Sequence, residues 1–470
     1  MDAKVEFDHA AGWYAQTAIA PKQWASLTFE LDVDVCVIGG GLAGLTTALE
    51  VARRGLSVAV LEARRVAWSA SGRNLGFVLP GFSQDIEKIV ARVGIDHARR
   101  LWALSEEGVE QVRNYIAEDG IPGVEHGNGW LDVSKVDNGD ELVRTVSLLG
   151  QEFGAEVEGW PTEKVRAVLK SDYYFHAIHY PRAFHIHPLN YAMRLAVAAE
   201  SAGVRIFEET PALTIDTAGV RKRIATPQAR VRANHIVLAG NVQLGRLAPQ
   251  LAETILPVST FTAVTEPLGD RLKDAITYEG GISDSHSANN HYRIIGGDRL
   301  LWSGDSTTWE SNPRSHVGSL RRSIARIYPQ LGNVEIANVW SGTMGFAVHR
   351  MPQIGEMAPG VWVASAFAGH GLNTTAMAGS LIARGIVEHD DTWRLFLPFD
   401  LVWAGGVAGR IVRQGMSAWG RQKESFAAKA ARKREKIRGV AGLDDISGAE
   451  SGSPESAQLP AEVSAEARGK

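Results

Sequence analysis

Apolar and polar positions follow two different periods near the start of the chain. Residues 34–38 (DVCVI) form a continuous, β-branched apolar run, which is typical of a strand buried in a parallel sheet. Residues 42–54 place apolar side chains on one face of a helix, and Gly55 ends that helix. The apolar run at residues 57–62 (SVAVLE) predicts a second strand. The order strand, helix, strand indicates an α/β fold.

The same alternation returns later in the chain. Further strands are predicted at residues 204–210, 230–241 and 361–368, with helices from about Pro188 to Ala202 and from near Asn373. Between these segments the pattern predicts helices at 85–120 and 141–153 and a mixed sheet around 255–345.

A glycine-rich turn joins the first predicted strand to its helix. The segment GGGLAG fits the pattern G-x-G-x-x-G with Gly39, Gly41 and Gly44. These glycines permit a tight turn, a close approach of the backbone to a pyrophosphate, and packing of the helix on the strand. Glu62 follows 23 residues after Gly39, where a carboxylate accepts hydrogen bonds from ribose hydroxyls. The stretch predicts a dinucleotide site, but it does not by itself distinguish NAD from FAD.

Two further segments favour a longer cofactor. An NAD-binding domain would continue with more βα units, whereas residues 67–81 (AWSASGRNLGFVLPG) form a polar loop that carries Arg73 and Asn74. The helix predicted after Gly369-His370-Gly371 offers free N–H groups and partial positive charge. That end would stabilise negative charge on the pyrimidine side of a reduced flavin.

These pieces, in this order, resemble the FAD-dependent amine and amino-acid oxidases of the D-amino-acid oxidase (DAO) type. The matching segments span about residues 30–390: GGGLAG with Glu62, SASGRNLGF, the H-P-L helix with VRIFEET, HIVLAGN, RMPQIG and AFAGHGLNTTAMAG. Of this group, gamma-glutamylputrescine oxidase-like proteins are the most similar. The resemblance implies FAD and an α/β fold. A FAD-binding Rossmann-like domain (GR2/DAO-type) would be joined to a mixed-sheet α+β substrate domain.

The resemblance also implies a discontinuous domain organisation. We expect an N-terminal arm at 1–30, a FAD-binding domain at 31–84, 185–245 and 335–390, and a substrate domain at 85–184 and 246–334. A C-terminal helical extension at 391–438 and a disordered tail at 439–470 would follow.

The implied FAD site gathers residues from four segments. They are Gly39, Gly41, Leu42, Ala43, Gly44, Glu62, Ala63, Ser71, Arg73, Asn74, Ala212, Gly369, His370, Gly371 and Leu372. Some relatives attach the flavin covalently through a cysteine in the C-terminal half or a histidine after the second strand. Here the single cysteine is Cys36 on the first strand, and residues 63–81 contain no histidine. We therefore predict a non-covalent flavin.

The implied reaction is hydride transfer from the carbon bearing the amine to flavin N5, after which the imine is hydrolysed to an aldehyde. The flavin carries the chemistry, so no catalytic acid–base pair is required. Amino-acid oxidases of this type carry an arginine, in a G-x-R-P segment, that clamps the substrate α-carboxylate. Met344 holds that place, and Arg350 lies six residues later. This departure favours amines without an adjacent carboxylate.

The predicted substrate pocket contains Tyr292, Met344, His349, Arg350 and His370. Tyr292 belongs to a predicted hairpin at residues 290–304, and the pocket and a plain sheet position are equal alternatives for it. Its neighbour Arg293 is expected to be structural because successive strand residues face opposite ways. The histidines at 176–187 include an H-x-H pattern, but no carboxylate partner is evident and we predict no metal.

Composition limits the partners. The chain has 470 residues and a net charge of −4, and no basic patch of its main body suggests nucleic acid. No leader and no membrane span are evident, so we expect a cytoplasmic protein. Residues 405–438 hold ten Lys/Arg against two Asp/Glu after an apolar start. This segment is either a capping helix with a solvated basic end or a peripheral contact with the inner face of the membrane.

The sequence leaves the electron acceptor and the substrate open. A small-molecule amine oxidised with O2 or a quinone as acceptor is the main hypothesis. The alternatives are a quinone-linked FAD dehydrogenase of an amino or hydroxy acid and a flavoprotein subunit without catalysis of its own. No lysine near the flavin can be assigned for reaction with oxygen, because Lys273 is expected on a surface helix.

Overall fold

Two β-sheets form the body of the protein. The structure is a computed structural model that describes residues 12–19, 22–120, 127–284 and 290–447. The first sheet has eight strands, β1 (Leu31–Ile38), β2 (Val58–Leu61), β7 (Arg205–Phe207), β8 (Thr214–Asp216), β9 (Lys222–Ala225), β10 (Arg230–Leu238), β16 (Gln353–Ala358) and β17 (Val361–Ser365). Its order is β16-β17-β10-β1-β2-β7, with β9 and then β8 beside β10. The five strands from β17 to β7 are parallel.

The second sheet has nine strands and is mostly antiparallel. They are β3 (Phe77–Val78), β4 (Gly127–Val133), β5 (Glu158–Trp160), β6 (Ala177–His185), β11 (Leu256–Thr265), β12 (Gly281–Asp284), β13 (Asn290–Ile295), β14 (Arg299–Thr307) and β15 (Ile336–Phe346). The order is β15-β11-β14-β13-β12-β4-β6-β3, with β5 beside β6. Among the described strands of this second sheet, only β12 and β4 pair in parallel, so the sheet is mixed.

Helices cover both sheets and connect them. They are α1 (Trp13–Gln16), α2 (Leu42–Arg53), α3 (Ala70–Arg73), α4 (Ile86–Val93), α5 (Ile95–Asp119), α6 (Gly139–Phe153), α7 (Thr162–Val168), α8 (Pro188–Ser201), α9 (Pro249–Ala252), α10 (Asp270–Lys273), α11 (Val317–Ile327), α12 (Gly371–Val387) and α13 (Gly406–Ser447). None of these described helices has an apolar stretch long and uncharged enough to cross a membrane.

The buried apolar side chains form separate clusters on the faces of the two sheets. The largest apolar cluster fills one face of the first sheet, where α2, α5, α8 and α12 pack against each other and against the parallel strands. A second cluster covers the opposite face and contains Cys36. A third lies between the second sheet and helices α7 and α11. The two-sided burial explains the continuous apolar runs of β1, β2 and β17.

Three elements differ from the domain boundaries expected above. β3 and β15 lie in segments assigned to the FAD-binding domain, yet both pair into the second sheet. β15 pairs with β11 along its whole length, from Leu256 opposite Phe346 to Thr265 opposite Ile336. Helix α13 continues to Ser447, beyond the expected limit at 438; the rest of the expected tail, residues 448–470, lies outside the described residues.

The described part of the N-terminal arm packs on the body. Tyr14 and Trp24 are buried. Tyr14 meets Trp340 edge to face, with ring centroids 5.5 Å apart. The indole N–H of Trp24 donates to Glu200 on α8 over 3.2 Å. The arm therefore spans both the second sheet and the helical layer of the first.

Candidate functional site

The glycine turn after β1 is built for close contacts. Gly39 has a φ of +114°, and a Cβ on it would lie 2.9 Å from the backbone of Ala239 and Gly240 at the end of β10. A Cβ on Gly44 would lie 2.0 Å from the carbonyl oxygen of Gly39. Only glycine fits at either position, because one needs positive φ and the other holds α2 against β1.

The N-terminus of α2 opens onto the same turn. Gly41 is the N-cap residue and offers no capping side chain. The backbone N–H of Leu42 donates to Ser71 Oγ over 3.0 Å. A Cβ on Gly41 would lie 2.9 Å from that oxygen. The segment 67–81, predicted as a polar loop, contains α3 and β3. Ser71 on α3 places it directly against the helix end at which a pyrophosphate is stabilised.

Glu62 lies at the end of β2 and holds the two neighbouring loops. Its carboxylate accepts a hydrogen bond from Gly40 N–H over 2.7 Å and one from Arg64 N–H over 2.8 Å. Burial raises the pKa of Glu62, while these two N–H groups act in the opposite direction. A carboxylate fixed by backbone donors in this way keeps lone pairs for the hydroxyl groups of a ribose.

One large cavity of about 1860 Å³ runs from this turn to the second sheet. Most of the residues predicted for the cofactor and substrate line it. They are Gly39, Gly41, Leu42, Ala43, Glu62, Ala63, Ser71, Arg73, Asn74, Ala212, Met344, Arg350, Gly369, His370, Gly371 and Leu372. Gly44 does not line the cavity; it lies against the carbonyl oxygen of Gly39 and so supports the turn.

The far end of the cavity is bounded by the turn between β17 and α12. Ala366 and Ala368 have φ values of +58° and +52°, which is costly for residues with a Cβ and indicates that the surroundings fix this turn. Helix α12 begins at Gly371 without a side-chain cap. A Cβ on Gly369 or Gly371 would meet no atom within 4 Å. These glycines therefore leave the helix N-terminus accessible from the cavity.

His370 lies between those glycines and is neutral at pH 7. Burial, together with the positive charge of Arg350, lowers its pKa to about 4. Its Nδ1 has no hydrogen-bond partner among the described residues. A buried, unpartnered ring nitrogen at the cavity wall is available to a bound molecule.

FAD fits these residues. The cradle at Gly39 and Gly41 would be filled by any Cβ, which is the property required for a pyrophosphate to approach the backbone. Glu62 and the first residues of α12 line the same cavity. The polar groups at both ends match the ribose and the pyrimidine ring.

Comparison with known proteins agrees with this geometry. A family model described as "DAO: FAD dependent oxidoreductase" matches residues 34–384. The chain belongs to the DAO family of FAD-dependent oxidoreductases. It is 31% identical to the gamma-glutamylputrescine oxidoreductase of Escherichia coli, over 82% of this chain and 92% of that protein. It is 30% identical to the probable oxidoreductase OrdL of Haemophilus influenzae, over 90% of this chain and 98% of that protein.

Solved structures show the same DAO-type fold. Glycine oxidase from Geobacillus kaustophilus superimposes with a TM-score of 0.67 at 20% identity, covering 79% of this chain and 99% of that one. L-proline dehydrogenase from P. horikoshii gives a TM-score of 0.65 at 18% identity, covering 79% and 98%. The predicted fold class and FAD as cofactor are thereby confirmed. This DAO-family member is an oxidoreductase of the group that acts on amines and amino acids.

Two residues predicted for the substrate pocket of this DAO-family chain lie elsewhere. Tyr292 is fully buried in the core of the second sheet, stacked on Trp302 with centroids 4.3 Å apart. His349 accepts a hydrogen bond from Met351 N–H over 3.1 Å, and its Nε2 lies 3.1 Å from Asp400 O. Neither lines the cavity. Tyr292 therefore takes the plain sheet position, the second of its two alternatives, and its neighbour His291 lines the cavity instead.

Arg293 has the structural role expected of it. It is 2% exposed and donates to the carbonyl oxygens of Leu75 and Ile186 over 3.1 and 3.0 Å. These bonds tie β13 to the loop after α3 and to the short segment between β6 and α8. The histidine cluster at 176–187 is dispersed, and among the described residues no group of three or more His, Cys, Asp or Glu side chains is placed to hold a metal ion.

The cavity residues that the sequence interpretation did not assign include His291, Phe346 and Arg413. Burial lowers the pKa of His291 to about 4, and its Nδ1 lacks a partner among the described residues. Phe346 is the last residue of β15, two positions after Met344. Arg413 comes from α13, which lies beyond the matched family region. Only the β-strand period could have indicated Phe346, since it places residues two apart on one face.

Proposed function

We propose that the protein oxidises a C–N bond of an amine that resembles gamma-glutamylputrescine, giving an imine that is hydrolysed to an aldehyde. The observation that carries the proposal is the apolar wall at the place of the amino-acid clamp. Met344 packs with buried Phe346 and Ala368 where the resemblance would put an arginine. The relationship to the Escherichia coli gamma-glutamylputrescine oxidoreductase supports the same substrate class.

The protein's own groups in this proposal bind and orient the amine. When bound, FAD supplies the acceptor for the hydride that leaves the carbon next to nitrogen. The apolar wall excludes water and favours the neutral form of the amine, because burial disfavours a charged ammonium. His370 and His291 stay neutral at pH 7 and add no positive charge against the substrate. The N-terminus of α12 offers partial positive charge at the flavin end.

The proposed acceptor is O2 or a quinone. Lys273 lies on the surface in an ion pair with Asp270, as expected. Lys135 lines the cavity, where its ammonium group pairs with the buried Asp284 carboxylate over 2.8 Å. Hydrogen peroxide among the products would identify O2 as the acceptor, whereas turnover that requires a dye or quinone would favour the dehydrogenase alternative.

Substitution of Met344 tests the substrate proposal. Met344→Arg should lower kcat/KM for gamma-glutamylputrescine by about tenfold or more, since it places a cation in the apolar wall against an amine. Met344→Leu conserves volume and should retain most of the activity. Aldehyde formation by purified holoenzyme is the readout. Equal activity of the two variants would contradict the proposed role of the wall.

We also propose that α13 brings the protein to an anionic membrane surface. The helix buries one side, with Ser417, Ala428 and Ala431 facing the body. Its opposite side exposes large apolar side chains that are 59% to 71% exposed. They are Ile411, Val412, Met416, Trp419 and Phe426. Lysines at 423, 429 and 433 accompany them, which is the charge arrangement that anionic lipid headgroups attract.

A further inference from the structure

Helix α13 delivers a cationic side chain to the cavity. Thr308 fixes the helix at this point: its N–H donates to Gln414 Oε1 and its hydroxyl donates to Arg410 O, both over 3.2 Å. Arg413 is half-buried and lines the cavity. Its guanidinium lies 5.7 Å from the centre of the Phe346 ring. Phe346 belongs to the apolar wall, so Arg413 reaches the region of the proposed substrate.

A second cation reaches the cavity from the turn after β15. Arg350 has a φ of +58°, and its backbone N–H donates to Ala347 O over 3.0 Å. This positive φ is strained for a residue with a Cβ, so the surrounding structure must hold the backbone of Arg350 and thereby its side chain in place. Its Nε is buried and has no hydrogen-bond partner among the described residues. Such an orphaned donor is available to a ligand.

Arg350 and Arg413 line the same cavity, and the charge of one acts on the other. Neither forms an ion pair among the described residues, and the acid that acts on Arg350, Asp85, is itself paired with Lys88 over 2.6 Å. Burial lowers the pKa of Arg413, and the charge of Arg350 lowers it further. Two half-buried positive charges in one cavity are unfavourable unless a bound anion neutralises them.

We propose that Arg350 and Arg413 together bind a carboxylate of the substrate at the end remote from the oxidised C–N bond. The inference rests on the proposed function and names its substrate class as amines that carry a distant carboxylate. Phe346 lies two residues beyond Met344, about 7 Å along the strand, and Arg413 lies across its ring. This separation fits a carboxylate several bonds from the amine and does not fit an α-amino acid.

The kinetic test uses a matched pair of substrates. Gamma-glutamylputrescine and its analogue with the carboxylate converted to a carboxamide differ in that one charge. For the wild type, we expect the amide to have a KM about tenfold higher or more, since charge-assisted hydrogen bonds are lost. Arg413→Gln should raise the KM for the acid by a similar factor and leave the KM for the amide unchanged. Arg410→Gln, one turn earlier and outside the cavity, is the control and should change neither.

Arg413→Lys separates binding from a merely structural role. The lysine keeps the charge and should recover part of the affinity for the acid, whereas a loss caused by helix disruption would persist. Equal KM values for acid and amide in the wild type would overturn the inference. So would an Arg413→Gln enzyme that still discriminates between them, or a requirement for Arg413 in the oxidation of α-amino acids.

A binding measurement keeps the inference separate from the proposed activity. Calorimetric titration of holoenzyme with glutarate requires no turnover. We expect binding that weakens about tenfold in Arg413→Gln and is unchanged in Arg410→Gln. If no amine reduces the flavin while glutarate binding follows this pattern, the proposed function fails and the anion site stands. Absence of glutarate binding to the wild type would overturn the site itself.

Discussion

At the scale of single residues, Glu62 links the two loops that approach the cofactor. It accepts hydrogen bonds from Gly40 and Arg64. Removing its charge weakens the hydrogen bonds expected with the ribose while a side-chain oxygen remains for the loops. We predict that Glu62→Gln lowers FAD affinity by about tenfold, measured by fluorescence titration of the apoprotein. Glu118→Gln, at an exposed ion pair with Arg53, serves as the control. Unchanged FAD affinity of Glu62→Gln would contradict the role of Glu62.

Tyr292 illustrates a residue whose importance is structural. Its hydroxyl lies 2.9 Å from the hydroxyls of both Tyr174 and Tyr328, and Tyr174 donates to Asp284 over 2.9 Å. We predict that Tyr292→Phe lowers the free energy of unfolding by about 1–2 kcal/mol with little change in KM, as measured by denaturant unfolding and steady-state kinetics. Tyr278→Phe removes a hydroxyl that has no partner among the described residues and should cost much less. A large change in KM for Tyr292→Phe would show that Tyr292 contributes to the substrate pocket after all.

The glycine turn and Glu62 could be found from the sequence because each is defined by a local pattern. Met344 followed from the resemblance to amino-acid oxidases, whose G-x-R-P arginine it replaces. Tyr292 and His291 could not be assigned to their faces in this way. Both faces of β13 are covered, so Tyr292 enters the core of the second sheet while His291 faces the cavity. A strand buried on both sides has no polar face that would identify its orientation.

At the scale of elements, α13 has two sides with different partners. The inner side is anchored by Glu435, which pairs with Arg166, and by Arg432, which lies 4.1 Å from the Tyr173 ring centre. The outer side presents the apolar face proposed to contact lipid. The sequence indicated a helix with a basic end, but it could not show which side packs or that Arg413 enters the cavity, because both depend on contacts with distant elements.

The lipid contact has a direct test in the outer face of α13. We predict that the protein sediments with vesicles containing phosphatidylserine, and less so at high salt, because screening weakens the attraction to anionic headgroups. The double substitution Trp419→Glu and Phe426→Glu should leave it in the supernatant. Val220→Glu, which changes an exposed apolar residue in the β8–β9 hairpin, is the control. Sedimentation of a chain truncated after Pro398 would contradict the proposal.

At the scale of the whole molecule, two sheets enclose one cavity built from segments far apart in the chain. The sequence predicted the βαβ unit of β1, α2 and β2, and also β17 and α12, because each has its own hydrophobic period and glycine signals. The placement of β3 and β15 was not, since long-range strand pairing leaves no local mark. Segments that the sequence assigns to the FAD-binding domain therefore contribute strands to the sheet of the substrate domain.

Whether the flavin can be attached covalently depends on where the single cysteine lies in the whole fold. Cys36 is fully buried on the opposite face of the first sheet from the large helical core, and burial raises its pKa to about 12. It does not line the cavity, and a thiol in this environment is unreactive. We predict that acid precipitation releases all FAD into the supernatant, as measured by its absorbance. Yellow colour retained in the washed pellet would show a covalent bond.

Anaerobic reduction of the flavin shows whether this DAO-family protein oxidises an amine. Purified holoenzyme would be mixed without oxygen with gamma-glutamylputrescine, other polyamines, N-methyl and D-amino acids, and hydroxy acids. We expect rapid bleaching of the visible flavin band by gamma-glutamylputrescine and little by α-amino acids. Bleaching only by α-amino or hydroxy acids would contradict amine oxidation.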